Sequence, residues 1–173
     1  MSQRHRNIIR HYMRWKSNNP DTCIIHCASQ RRLRDAITCA AVSRDNQGKK
    51  HPHQYRLKNS VLEAFGDSLL PRQRDIQAVQ NFDELIDIVE QCRVSGIGEL
   101  AIYDTAVRIG AFLNIWPTKI YLHAGARVGA AKLIGNVTSS TINKSQLPAT
   151  FSNSNLSCYE LEDLLCIYKR ILQ

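Results

Sequence analysis

At 173 residues the chain is long enough to bury about 70% of its unfolded surface, so a single domain over 1–173 is expected without disulfide or metal staples. Lys and Arg number 23 against 15 Asp and Glu, a net charge of +8 that points to an anionic partner. No apolar run approaches the roughly 18 residues of a membrane-spanning helix, and the first residues lack the apolar core of a secretory signal, so a cytoplasmic protein with no membrane partner is expected.

Residues 2–16 interleave Ile8, Ile9, Tyr12, Met13 and Trp15 with Arg4, Arg6, Arg10, Arg14 and Lys16, which predicts an amphipathic basic helix ending before Asn18-Asn19-Pro20. Residues 30–43 repeat apolar positions at helical spacing (Leu33, Ala36, Ile37, Ala40, Ala41) with a basic edge. Residues 45–58 have no periodic apolar face and hold Gly48 and Pro52, so they read as a polar loop. Ser60 with Glu63, and Asn81 with Glu84, fit the capping box and start helices at about 60–70 and 82–92. Pro71 stands where a proline opens a helix. Residues 101–113 and 117–133 carry two more helical patterns, and Ser157 with Glu160 caps a last one through 172, its Leu161, Leu164, Leu165, Ile167 and Tyr168 face expected in the core. Residues 136–155, rich in Ser, Thr and Asn, read as a surface connection, and no alternating strand pattern is present. The fold class is therefore all-α, a multi-helix domain.

The charge is unevenly spread along the chain. Residues 1–80 hold 15 Lys+Arg and 6 Asp+Glu, whereas residues 81–173 hold 8 and 9, which divides the sequence into a basic first half and a neutral second. Six cysteines occupy mostly apolar contexts and read as reduced thiols. The cluster Cys23, His26, Cys27 lacks the second ligand pair of a structural zinc site, and no four-cysteine run offers an iron-sulfur cluster, so neither a metal nor a cofactor is expected.

The most informative stretch is Ser95-Gly96-Ile97-Gly98-Glu99-Leu100-Ala101, between a capped helix and a second one. Gly96 and Gly98 permit a tight turn, Ile97 plugs the two-helix core, and the amides at the second helix's N-terminus are left to bind a phosphate oxygen without reading sequence. The alternative is a helix corner with a Gly-x-Gly bend and no ligand. Val94 before the turn and Leu100, Ala101, Ala106 and Val107 after it follow the pattern of helix-hairpin-helix motifs, which residues 93–110 resemble. Some 25 residues on, Ile120-Tyr-Leu-His-Ala-Gly-Ala-Arg-Val128 resembles the histidine segment of the helix-hairpin-helix DNA glycosylases. Most of the chain also resembles an uncharacterised bacterial family sharing the 49–54 loop, the 96–110 hairpin and the 121–125 box.

The glycosylase resemblance implies an all-helical fold that recognises modified or distorted duplex DNA, flips a base and hydrolyses its N-glycosidic bond. It places Tyr121 where the family has its catalytic aspartate, with His123 matching the histidine two places later. Leu100 stands where bifunctional members carry a lysine, so only monofunctional excision is implied. Asp104, six residues past Gly98 among apolar neighbours, is then the candidate base or oxocarbenium stabiliser, its alternative being an ordinary helix residue paired with Arg108. His123 is the second catalytic candidate, or else a brace for the 121–125 turn.

For DNA contact the candidates are Gly96, Ile97 and Gly98 in the turn, Lys49, Lys50, His53 and Arg56 in the loop, and Arg127 beyond the histidine box. Tyr103 and Trp116 are expected as core fillers. Two further readings stay open: a non-catalytic architectural or recruiting DNA-binding module, and an RNA-binding protein, since amides and cations recognise phosphate in either nucleic acid. No protein partner is identifiable.

Overall fold

A computed structural model describes residues 3–172. In chain order its helices and strands are α1 (Gln3–Asn18), α2 (Thr22–Ala28), α3 (Leu33–Val42), α4 (Asn59–Leu69), α5 (Gln73–Ala78), α6 (Phe82–Gln91), α7 (Glu99–Leu113), β1 (Ile120–Tyr121), α8 (Ala124–Ile134), β2 (Thr141–Ile142), α9 (Ala149–Ser152) and α10 (Cys158–Tyr168). Short 3₁₀ turns lie at Pro52–Gln54, Leu70–Arg72 and Lys144–Gln146. The fold is all-α with one small antiparallel ribbon, and none of the described helices is long and apolar enough to cross a membrane.

Local chemistry sets most helix starts. Asn81 accepts the Glu84 N–H at 3.0 Å to open α6, although Glu84 reaches back to the Gln80 N–H at 2.8 Å. Ser157 and Glu160 form the full reciprocal box at α10. Asp21 accepts the Ile24 N–H at 3.0 Å and opens α2, a helix the periodicity of so short a segment does not reveal. Ser60 is not a cap: α4 begins one residue earlier, after Lys58.

The single helix expected over 117–133 is replaced by β1, which pairs Ile120 with Ile142 and Tyr121 with Thr141, and by α8, which starts only after His123. Within the expected 136–155 connection lie β2, a 3₁₀ turn and α9. Ile167 and Trp116, expected in the core, are exposed.

The chain clusters into two compact units. One takes both ends, up to Pro20 and from Pro117, and the other is Asp21–Trp116. In the first unit, Ile8 and Tyr12 of α1 join Ile120, Phe151, Leu161 and Leu165 in one apolar core. The Tyr12 hydroxyl donates to Asp163 at 3.0 Å, and Lys16 meets the same carboxylate at 2.9 Å. In this unit α8 lies close along α10.

In the second unit α7 is the central rod, packed against α2, α3 and α6. It is buried on nearly every side, from Ala101 to Gly110, with Asp104 the partly exposed exception. All six cysteines are free thiols. Burial pushes the Cys23 thiol up to about 11 and raises Cys92 as well, so labelling of the native protein with a neutral-pH thiol reagent is expected to leave Cys23 unmodified until denaturant is added.

Candidate functional site

The loop that sequence reads as merely polar is tied down by the chain's own donors. Asp45 accepts the Gln47 and Lys49 N–H groups at 3.0 and 2.9 Å, Gly48 turns with a φ of +76°, and Arg44 bridges Lys50 in antiparallel fashion. The Ser43 carbonyl then accepts the His51 N–H at 2.8 Å, and the 3₁₀ turn after it lays Gln54 against α7.

At the centre lies Arg108, only 1% exposed. Its Nη1 donates to Ser43 Oγ at 2.8 Å and to the Ala40 carbonyl at 3.4 Å, and Nη2 donates to Gln54 Oε1 at 3.1 Å. Gln54, equally buried, turns its Nε2 to Asp104 Oδ2 at 2.6 Å, while Arg108 Nη2 lies 3.8 Å from the same oxygen. His53 Nδ1 approaches that carboxylate from the solvent side at 2.9 Å, so Nδ1 carries the proton. Burial by itself would raise the Asp104 carboxyl, but the His53 hydrogen bond, the Arg108 charge and the Gln54 hydrogen bond outweigh it and hold the group below the usual carboxylate range.

A second carboxylate flanks the same guanidinium. Asp21 Oδ2 lies 3.5 Å from His51 Nε2, and although burial opposes ionisation, His51 and the Ile24 N–H lower the Asp21 carboxyl below its ordinary range. The rings of His51 and His53 meet edge to face with centroids 4.6 Å apart. One ligand atom each from His51, His53 and Asp104 falls within 4.8 Å of the others. The sequence reading assigned no metal here, since the two histidines stand some fifty residues from Asp104.

Neither Arg108 nor Gln54 was singled out from sequence as a site residue. The sign was there in α7: a helix apolar on all faces is buried all round, and an arginine within it has to bring partners with it. Arg108 pairs with Asp104 across one helical turn, and Asp104 is also the anchor of a wider network.

The glycine turn closes the same rod. Gly96 takes a φ of +93°, a left-handed conformation, and a Cβ there would lie 3.2 Å from Val61 Cγ1. Ile97 is buried and its N–H bonds the Val94 carbonyl at 3.1 Å. Gly98 is the N-cap of the fifteen-residue α7, no side chain caps the helix among the described residues, and open space lies over its Cα. Glu99, exposed in the first turn, puts a negative charge beside those amides.

The other candidates have different neighbours. Lys49 is exposed, Lys50 spends its ammonium on the Leu57 carbonyl at 2.9 Å, and Arg56 folds onto the exposed Tyr55 ring and hydroxyl. Arg127 donates to the Val137, Ser139 and Leu122 carbonyls at 2.8–3.1 Å and so clasps the chain leading to β2. His123 is the backbone N-cap of α8, its carbonyl accepting the Arg127 N–H at 2.8 Å. His123 and Arg127 belong to the unit built from the two ends, whereas Asp104, the loop and the glycine turn belong to the other.

Packing also relocates the charge. The Asp21–Trp116 unit has twelve Lys+Arg and twelve Asp+Glu, and the end-built unit has eleven against three. The net +8 therefore lies on the latter, and α1 supplies the densest part of it, with Arg4, Arg6, Arg10 and Arg14 all exposed and no acidic residue in the helix. In comparisons with protein-family models, with curated proteins and with solved structures, nothing matches this chain.

Proposed function

We propose that the protein binds nucleic acid through its phosphates, with duplex DNA the partner favoured by the hairpin resemblance. The observation that carries this reading is the concentration of the net charge on the end-built unit, led by the acid-free α1. Arg6, Arg10 and Arg14 recur every four residues, a step of about 6 Å along one side of the helix, which suits a row of phosphates. A membrane surface is the weaker match for the same charge, because α1 commits Ile8 and Tyr12 to the protein core and leaves Met13 and Trp15 as its exposed large hydrophobics, a small area to insert.

The amides at Gly98 and the ones after it offer a second, weaker phosphate contact, opposed by Glu99. Base excision finds less support. Asp104 already receives His53 and Gln54 and is held ionised, which suits it to neutralising a cation better than to taking up a proton.

The test is anisotropy of labelled duplex DNA across a salt series. Wild type is expected to bind with a steep salt dependence, and Arg6→Ala/Arg10→Ala/Arg14→Ala is expected to reduce the slope by about 2–3, near 0.9 per lost phosphate contact, with at least a tenfold loss of affinity at low salt. An unchanged slope in the folded triple variant rejects the α1 surface. Glu99→Gln is expected to tighten binding a fewfold if phosphate meets the start of α7, and no change there leaves the glycine turn a structural corner. Competition by duplex RNA at equal concentration would move the reading from DNA to RNA.

A further inference from the structure

Beyond nucleic-acid binding, and resting on other residues, we propose that His51, His53 and Asp104 form a binding site for a divalent transition-metal ion of the zinc class. Two imidazoles and one carboxylate are the donor set such ions prefer, whereas magnesium and calcium favour all-oxygen shells.

The geometry is close to what ligation requires. A metal held about 2.1 Å from each ligand sets neighbouring ligand atoms roughly 3.0–3.4 Å apart, depending on whether the site is octahedral or tetrahedral. His53 Nδ1 and Asp104 Oδ2 are 2.9 Å apart, and the full set lies within 4.8 Å, so a small swing of the histidines completes it. The His53 side chain is 43% exposed, so water can reach a further coordination position at this edge of the cluster. The site is an open one, of the kind that keeps a place for an exchangeable ligand.

The residues behind these ligands are already in place. Asp104 is oriented by Gln54 Nε2 at 2.6 Å, and His51 Nε2 faces Asp21 Oδ2 at 3.5 Å, a carboxylate behind an imidazole of the sort that orients metal-binding histidines. Asp21 is itself fixed as the cap of α2. His51 Nδ1 receives the His53 N–H at 3.3 Å, a long bond that ligation can replace. Charge also permits a cation. Asp21 and Asp104 both interact with the buried Arg108, so the one guanidinium behind the cluster is offset by two carboxylates.

Cobalt(II) added to the intact protein tests this, because its absorption reports ligand type as well as binding. One equivalent is expected to bind with visible d–d bands and without the near-ultraviolet charge-transfer band of thiolate ligation, which separates this site from the Cys23, His26, Cys27 cluster. His53→Ala, at an exposed position, is expected to fold with an unchanged far-UV circular dichroism spectrum and to weaken cobalt and zinc binding by at least about tenfold. His51→Ala/His53→Ala is expected to abolish it, and a large excess of magnesium should not displace cobalt. Absence of cobalt binding, a thiolate band, displacement by stoichiometric magnesium, or unchanged affinity in folded His53→Ala would each overturn the proposal.

Discussion

Asp104→Ala is expected to lower folding stability by about 3–5 kcal/mol, read from the shift in the denaturant midpoint. The cause is the guanidinium it leaves behind. Arg108 is 1% exposed, Nε has no hydrogen-bond partner among the described residues, and its remaining partners, Ser43, Ala40 and Gln54, are all neutral. Removing the carboxylate 3.8 Å away leaves the buried cation with only the Asp21 charge to offset it and also leaves Gln54 Nε2 without its acceptor. Asp104→Asn, which keeps the shape and one acceptor but not the charge, should fall between wild type and alanine. The double variant Asp104→Leu/Arg108→Met should recover much of the loss, since replacing a whole buried pair by apolar groups of similar size is often close to neutral. A loss below about 1 kcal/mol for the alanine variant would mean that solvent reaches Arg108 and that the network is not what holds the loop to α7.

Gly129→Ala is expected to cost about 3 kcal/mol, at the upper end for overpacking a core. An added methyl would collide with the Leu165 carbonyl oxygen and lie 2.8 Å from its carbon, both backbone atoms of α10 that no rotamer change can move. Against this stands the gain of up to about 1 kcal/mol that alanine brings to a helix interior, so the sterics decide the sign. Gly125→Ala is the internal comparison. Its methyl would run into Cys166 Sγ, but a side chain can turn away, so this variant should lose distinctly less than Gly129→Ala. Equal losses at the two sites would argue that α8 and α10 separate as rigid bodies rather than yielding locally. These glycines also give the histidine box a physical meaning: His123 starts α8, and the small residues after it let α8 approach α10.

Sequence revealed features governed by neighbours a few residues apart. The Asn81 and Ser157 caps, the α1 and α3 faces and the placement of Ile97 all follow from local spacing. What escaped it depends on distant pairing. Two-residue strands at 120–121 and 141–142 carry too little pattern to announce themselves, and each is stabilised by the other. The loop at 45–58 looked free because its anchors, Gln54 and His53, find their partners on α7, some fifty residues later. The split of charge at residue 80 followed the chain, whereas packing joins α1 to α9 and α10 and leaves the glycine-turn unit neutral.

The pairing of α1 with α10 also sets an order of events when the chain is made. During synthesis α1 emerges with an apolar stripe, Ile8 and Tyr12, whose partners on α10 are made about 150 residues later. By then the whole Asp21–Trp116 stretch has emerged and can settle by itself. Until α10 arrives, the chain therefore displays a cationic helix with an unsatisfied greasy side, and it is in that interval, rather than in the finished molecule, that a chaperone or an anionic surface has its best chance to hold α1.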